Sequence, residues 1–435
     1  MKIYFIGIGG IGVSALAQYY LSQGEEVYGS DVSASEIINL LKAKGAKIKI
    51  GSQIKENIEA NYDLVVYSPA VKESNPELAE AKTRGLKCLS YPQALGELTK
   101  NHFTIAISGT HGKSTTTAMI ALILIKAGLD PTVIVGTRLK EFGDSNFRLG
   151  HSKYLVIEAC EHEASFLNYW PQIGVILNIE EDHLDYYKTL DNIEKAFNEF
   201  ANHIPKEGII IKNKNASINA QAKIINFSAE DWPTEFQKIK SLMKIPGEYN
   251  VLNGLAALLT ARELNIPDEV SLSALSEYTG AWRRFSIVEL PNYTIIDDYA
   301  HHPTEIEATL KAAREKYPAK KILCVFQPHQ YQRTQFLWDE FIETFQKSLQ
   351  EKWIDKLILI DIYDVAGREG GDIKKSYNSK IMAEKIGLGC EYINNKNSLE
   401  KYFEGFDIVI MMGAGDVYNL SLAIQFKYLK PACAD

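Results

Sequence analysis

The chain has 435 residues, 46% of them apolar and 23% charged, and carries a net charge of −8. That supplies enough apolar residues for real cores, sets a prior of about three domains, and argues against a nucleic-acid binder, whose affinity would rest on a basic face. The five cysteines (88, 160, 324, 390 and 433) show no CxxC spacing and an odd total, which fits a reducing cytoplasm and neither a disulfide nor a zinc framework.

An apolar strand from Lys2 to Ile6 opens the chain and runs into Gly7-Ile8-Gly9-Gly10-Ile11-Gly12. A helix from Val13 to Gln23 and a strand from Glu26 to Ser30 follow, ended by Asp31. The glycines interrupt what would otherwise pass for a signal peptide, and no apolar run approaches ~20 residues, so no membrane contact is expected. Strand, glycine turn, helix, strand and an acidic residue about 20 positions on satisfy the dinucleotide fingerprint. Spacing alone leaves two readings level: an NAD-dependent oxidoreductase, or a βαβ turn that takes another nucleotide or none. Tyr62 to Tyr67 (strand), Ser74 to Gly85 (helix) and Leu86 to Ser90 (strand) complete a first domain over residues 1–101.

A second domain, residues 102–280, opens with a β-prone run from Phe103 to Ile107. A tight polar turn, Gly109-Thr110-His111-Gly112-Lys113-Ser114, leads to an apolar helix from Ala118 to Ala127 stopped by Gly128. Backbone N–H groups at such a turn and helix start suit a polyphosphate, and Lys113 would reach the β- and γ-phosphates while the Ser114 hydroxyl would bind Mg²⁺. The strict pattern would have glycine at Ile107, so this is a shortened P-loop. Thr115, Thr116 and Thr117 are poor helix formers, best explained if first-turn hydroxyls are wanted.

Further strands are expected at Pro131 to Val135, Lys153 to Ile157, Ile173 to Leu177 and Gly208 to Lys212, with helices at Asp191 to His203 and Val251 to Leu264. Such alternation predicts an α/β sheet covered on both faces. Ligands of these sheets gather at the carboxyl ends of strands, where Glu158 reads as a Mg²⁺ ligand. Asn178 ends the next strand. His183, flanked by Asp182 and Asp185, reads either as a solvated loop histidine or as a second metal or substrate contact.

The third domain, residues 281–435, alternates again. Strands are expected at Tyr293 to Asp297, Lys320 to Phe326, Asp355 to Ile360 and Phe406 to Met411, and helices at Pro303 to Tyr317 and Thr334 to Leu349. Gly367 to Gly371 reads as a polar loop. Asp297-Asp298-Tyr299-Ala300-His301-His302 and Gln327-Pro328-His329-Gln330-Tyr331-Gln332-Arg333 each follow a strand, which predicts that the two clusters meet. Arg283 and Arg284 read as surface cations or as a cover for a transferring phosphoryl group.

Together these motifs resemble the Mur ligases of peptidoglycan synthesis. The resemblance runs through Gly7 to Gly12, Tyr67 to Ala70, Gly109 to Ser114, Asn178 to Asp185, Pro246 to Asn253, Arg283 to Phe285, Asp297 to Pro303, Gln327 to Thr334 and Met412 to Asp416. It implies a Rossmann-like N-terminal domain for a UDP substrate, a central P-loop ATPase domain with a mainly parallel sheet, and a Rossmann-like C-terminal domain for an amino acid. It further implies that ATP, with Mg²⁺, phosphorylates the lactyl carboxylate of UDP-N-acetylmuramate and that L-alanine then attacks the acyl phosphate, in a cytoplasmic monomer or homodimer.

By the same resemblance Gly7, Gly9, Gly10, Ile11, Gly12, Asp31, Ser68 and Asn178 lie on the UDP-substrate side. Gly109, Thr110, His111, Gly112, Lys113, Ser114, Thr115, Asn250, Asn253, Arg284 and Asp298 would hold ATP. Ser114, Glu158 and His183 would bind metal, and Tyr299, His301, His329 and Arg333 would face the amino acid. Lys113, Glu158, His183, Arg284, His301, His329 and Arg333 are the expected catalytic set. Three departures stand out: Cys160-Glu161-His162-Glu163 replaces the usual acidic run, Gln330 stands where arginine is usual, and Ser114 where threonine is. The alternatives are a sister ligase that attaches another amino acid or a peptide, an NAD-dependent oxidoreductase, and a non-catalytic ATP-binding regulator.

Overall fold

Strands inside a parallel sheet are buried on both faces, so they must be continuous apolar runs. Those runs build three sheets, each with helices, in a three-domain α/β architecture. The structure, a computed structural model, describes residues 1–364, 373–394 and 396–429. The expected loop at Gly367 to Gly371 lies outside the described residues.

The first sheet contains β1 (Lys2–Ile6), β2 (Glu26–Asp31), β3 (Lys47–Ile50), β4 (Leu64–Tyr67) and β5 (Cys88–Ser90). All are parallel, in the order β3-β2-β1-β4-β5. The order reverses at β1, and the glycine turn sits at its carboxyl end, the usual ligand position.

The second sheet contains β6 (Phe103–Ser108), β7 (Thr132–Leu139), β8 (Ser145–Arg148), β9 (Tyr154–Glu158), β10 (Ile173–Ile176), β11 (Ile209–Asn213) and β12 (Lys223–Phe227). Its order is β12-β11-β10-β6-β9-β7-β8, parallel except for the β7–β8 hairpin. The phosphate turn leaves β6 between β10 and β9, again at the switch point.

The third sheet contains β13 (Ser286–Glu289), β14 (Thr294–Asp298), β15 (Ile322–Phe326), β16 (Lys356–Leu359), β17 (Cys390–Tyr392) and β18 (Ile408–Met412). Its order is β13-β14-β18-β15-β16-β17, with only β13 antiparallel. Along β15, Ile322, Cys324 and Phe326 enter one core while Leu323 and Val325 enter another, so both faces are covered.

By contacts the chain divides into two compact units. The first holds Met1–Asp182, Thr189–Leu242 and Leu252–Glu277; the second holds His183–Lys188, Met243–Val251 and the chain from Tyr278 onward. Within the first unit a buried polar network joins the first two sheets. The helix Ile11–Ser22 packs on the β7–β8 hairpin. Gln18 Nε2 donates to Asn146 Oδ1 at 2.9 Å, and Ser145 Oγ and Lys44 Nζ donate to Gln18 Oε1 at 3.1 and 2.6 Å. Asn146 Nδ2 donates to the Ile11 carbonyl and, at 3.1 Å, to Ser14 Oγ.

The expected helix Thr334 to Leu349 is two helices, Tyr331–Phe336 and Trp338–Gln350, broken at Leu337 where φ is −107° and ψ 26°. Among the described residues no helix is long and apolar enough to cross a membrane.

Candidate active site

At the N-terminal glycine turn, Gly7 N and Ile8 N donate to the Ser30 carbonyl at 2.9 and 3.1 Å, and Gly9 N donates to Asp31 Oδ2 at 2.8 Å. A side chain at Gly7 would meet Ser68 Cβ at 3.1 Å, and one at Gly12 would meet the Tyr91 ring at 2.6 Å. The fold therefore gathers Gly7, Gly9, Gly10, Ile11, Gly12, Asp31 and Ser68 at one place, where the helix Ile11–Ser22 begins. Tyr91, absent from the sequence expectations, closes the far side. Burial raises its phenol pKa, helped by Glu158 and Cys160, so its hydroxyl stays protonated.

The phosphate loop needs two left-handed glycines, Gly109 (φ +138°) and Gly112 (φ +83°), the latter capping the helix Lys113–Lys126. Any Cβ on Gly112 would lie 2.6 Å from Asn253 Oδ1, so Asn253 lies over the loop. Asn178 grips the loop from the end of β10: its Oδ1 accepts from His111 N at 2.7 Å, and its Nδ2 donates to the His111 carbonyl at 3.1 Å. Sequence reasoning set Asn178 on the UDP-substrate side; both ends of its amide are engaged with the phosphate loop. Thr110 N donates to the Asn178 carbonyl at 3.1 Å, and Glu180 N to Thr110 Oγ1 at 2.9 Å.

Lys113 Nζ donates to the carbonyls of Gly109 and Thr110 at 2.6 and 2.9 Å and pairs with Glu161 Oε2 at 2.9 Å. Burial alone would lower the lysine pKa, but Glu161, with Cys160 and Glu158 beyond it, outweighs burial and raises it, holding the ammonium charged. Burial works the other way on Glu161, raising its pKa, and Lys113 offsets part of that. Glu161 went unassigned from sequence because the run around it departs from the family pattern. Burial pushes the neighbouring Cys160 thiol up to about 12, with Glu161 adding to it, so no thiolate forms there near neutral pH.

Glu158 ends β9, in register with Ile107 of β6. Its Oε2 accepts from Ser114 Oγ and from Gly136 N, both at 2.8 Å. A Cβ on Gly136 would sit 2.7 Å from that oxygen, so only glycine leaves the carboxylate its place. A hydroxyl and a carboxylate side by side form a hard oxygen donor set of the kind Mg²⁺ takes. Thr116 and Thr117, by contrast, are fully buried in the helix, and their hydroxyls find no partner among the described residues. The wish for first-turn hydroxyls therefore does not explain those two threonines.

His183 and Asn250 belong to the second unit. His183 has φ +52° and caps the short helix Leu184–Tyr187. Asn250 Nδ2 donates to the Pro246 carbonyl at 2.6 Å. Asp298 is buried at the end of β14 and accepts from Phe285 N at 2.8 Å and Ala300 N at 2.7 Å, so both oxygens hold backbone. Burial pushes its pKa up to about 6.

The two arginines differ. Arg283 is buried among the rings of Tyr299, Tyr418 and Trp282, at 4.8, 4.9 and 5.6 Å, and donates to the carbonyls of Gly413 and Gly415. Arg284 is half-buried, 5.3 Å from the Tyr299 ring and 3.7 Å from Glu305. Arg283 is thus a packing residue, and Arg284 keeps the more accessible cation.

Beyond them the two expected clusters do meet. Tyr299, His301, His329 and Tyr363 form a row of rings with successive centroids 5.4, 6.3 and 5.4 Å apart. His301 Nδ1 lies 3.2 Å from both the Tyr299 carbonyl and Glu305 Oε2. Arg333 lies half-buried on the helix Tyr331–Phe336, whose N-cap Gln330 takes φ +66°.

Comparison with known proteins agrees with this geometry. Residues 2–103 match the model of the Mur ligase family catalytic domain, 107–231 that of the Mur ligase middle domain, and 283–415 that of the Mur ligase glutamate ligase domain. The chain is 41% identical to UDP-N-acetylmuramate–L-alanine ligase of Clostridium kluyveri and 42% identical to that of Clostridium tetani, each time over 96% of both chains. The crystal structure of UDP-N-acetylmuramate–alanine ligase from Thermotoga maritima superposes with a TM-score of 0.80 at 26% identity, covering 98% of this chain and 99% of that one. With three Mur ligase models matched in turn along its length and relatives about 41% identical over 96% of it, the chain belongs to the Mur ligase family.

Proposed function

We infer that the chain is an ATP-dependent ligase of peptidoglycan precursor synthesis that forms an amide between UDP-N-acetylmuramate and L-alanine and releases ADP and phosphate. A carboxylate is a poor electrophile because its charge is delocalised. The lactyl carboxylate therefore takes the γ-phosphoryl group of ATP, and the resulting acyl phosphate is attacked by the amine of L-alanine. A tetrahedral intermediate then expels phosphate.

The observation that carries this reading is the grouping of Lys113, Ser114 and Glu158 at the ends of β6 and β9. We propose that Lys113 exchanges Glu161 for the γ-phosphate and that Ser114 and Glu158 hold Mg²⁺, with His183 a further contact. Bound there, Mg²⁺ would offset the charge building on the phosphate oxygens. Asn253 serves the nucleotide over Gly112, Arg284 covers the transferring phosphoryl group, and Asp298 shapes the ribose side by fixing the backbone of Phe285 and Ala300. The N-terminal glycine turn, with Asp31 and Ser68, takes the diphosphate of the sugar nucleotide on a helix start. His301, His329 and Arg333 face the amino acid. We take the domain boundaries as 1–101, 102–280 and 281–435, and the reaction as cytoplasmic.

The test is phosphate release with ATP, Mg²⁺ and UDP-N-acetylmuramate, scanned across L-alanine, glycine, L-serine and the preformed peptide. Release that depends on L-alanine is expected. Release with another acceptor alone would reassign the amino-acid side, and none with any acceptor would overturn the ligase reading.

A further inference from the structure

His329 follows β15 on a loop, where an imidazole ordinarily turns freely about its side-chain bonds. Here a residue far along the chain pins it. Tyr363 stacks on the His329 ring at 5.4 Å with only 11° between the planes. The two residues also form a parallel bridge, in which Tyr363 N donates to the Pro328 carbonyl at 2.8 Å and Gln330 N donates to the Tyr363 carbonyl at 2.9 Å. The backbone on both sides of His329 is thereby tied to Tyr363, while the imidazole lies 6.3 Å from the His301 ring with 71° between the two planes.

Tyr363 is in turn wedged in place. A Cβ on Gly415 would lie 2.6 Å from Tyr363 Cβ and 2.4 Å from Gln327 Oε1, so only glycine lets the three segments close up. The buried Gln327 fastens them: its Nε2 donates to Asp416 Oδ1 at 2.6 Å and to the Asp361 carbonyl at 3.3 Å, and its Oε1 accepts from Val417 N at 2.9 Å. Neither face of this arrangement is a packed core: both Tyr363 and His329 are only half-buried. A stacked pair that is tied through its backbone, wedged against glycine and still open to solvent is a device for fixing a ring plane. Stability alone would be better served by burying the tyrosine.

We propose that Tyr363 is a positioning residue: by stacking on His329 it holds the imidazole in the plane needed at the amino-acid side of the site, and it contributes through the ring face rather than the hydroxyl. This rests on the assignment of His329 to the amino-acid side. A reacting amine must be held within a narrow range of geometry, so an imidazole that wobbles costs turnover with the amine substrate and leaves the two nucleotide substrates untouched.

The test compares Tyr363→Leu, Tyr363→Phe, His329→Ala and the double variant Tyr363→Leu/His329→Ala in steady-state kinetics on the full chain. Leucine keeps apolar bulk, so folding is preserved while the stack is lost. Expected is a loss of about tenfold in kcat/KM for L-alanine in Tyr363→Leu, with KM for ATP and for UDP-N-acetylmuramate unchanged. Tyr363→Phe should return to within about twofold of the parent, and Tyr363→Leu should add less than about twofold in the His329→Ala background. An undiminished loss in that background, or a loss in Tyr363→Phe equal to that in Tyr363→Leu, would overturn the proposal. So would normal kinetics of Tyr363→Leu beside an impaired His329→Ala. Normal kinetics of His329→Ala would instead remove the amino-acid assignment beneath it.

Discussion

Lys113 Nζ lies 2.9 Å from Glu161 Oε2, so the phosphate-loop lysine already has an anionic partner, which on the proposed reading a γ-phosphate would displace. Breaking a buried pair by neutralising one member strands the other charge, at a cost of about 3 kcal/mol. Glu161→Gln should therefore lower the stability of the nucleotide-free protein by that amount. ATP with Mg²⁺ should then raise its melting temperature more than it raises that of the parent, because phosphate supplies the missing anion. Thermal melts with and without nucleotide decide it; equal increments in the two proteins would mean that Glu161 and phosphate do not compete for the lysine.

Ser114 and Glu158 share one hydrogen bond and, on the proposed reading, one metal. Glu158→Gln should reduce kcat about 10³-fold and Ser114→Ala about 10-fold to 10²-fold, while Ser114→Thr keeps the hydroxyl and the activity. Gly136→Ala, which carries a methyl into the Glu158 carboxylate, should shift the Mg²⁺ dependence to higher concentration. A Glu158→Gln enzyme with parental turnover would end the metal assignment.

Asn178 grips His111 through both ends of its amide. Losing that grip should cost the phosphate loop its shape, so Asn178→Ala should raise the ATP KM about tenfold, the equivalent of one or two hydrogen bonds. The KM for UDP-N-acetylmuramate should stay put. The reverse pattern in initial-rate measurements would return Asn178 to the sugar-nucleotide side.

Asp297 is buried beside Asp298; its Oδ2 accepts from Gln425 Nε2 at 2.8 Å. Burial pushes its pKa from 3.8 to about 6, against the partial offset of Ser421 and Gln425. Between about pH 4 and about pH 6 the folded chain thus holds a proton that the unfolded chain has released, and stability falls as pH rises through that window. Above it both states are ionised and the full penalty, roughly 3 kcal/mol, is present. Asp297→Asn should match the parent near about pH 4 and exceed it near about pH 8 in denaturant unfolding. A constant difference across the range would place the raised pKa elsewhere.

How much of this could be read from residues alone follows from where each element lies. The interior strands β6, β10, β15 and β18 are buried apolar runs and were expected nearly in place. The strands that went unseen, β3, β8, β12, β13 and β17, are all sheet edges. Edges carry charges and short runs, such as Lys47-Ile48-Lys49-Ile50, because an open strand edge must resist pairing with another chain. β8 is a different case: Ser145 and Asn146 are polar yet buried, for they serve the network around Gln18.

The site divides in the same way. Glycine turns announce themselves because their backbone is unavailable to other residues, and strand ends are found by counting. Partners across the fold are not: Glu161 for Lys113, Asn178 for the His111 backbone and Tyr363 for His329 are separated by 48, 67 and 34 positions. No local spacing rule connects such pairs.

The bond from Asn146 to the Ile11 carbonyl bears on how the molecule can be dissected. A fragment ending at residue 101 would expose the Gln18 amide, the Ser14 hydroxyl and the apolar flank of the helix Ile11–Ser22, all of which the β7–β8 hairpin covers. Anyone dividing this enzyme for crystallisation or binding work should therefore cut after the central sheet, or supply the hairpin in trans. The N-terminal domain is not a module that can be lifted out alone.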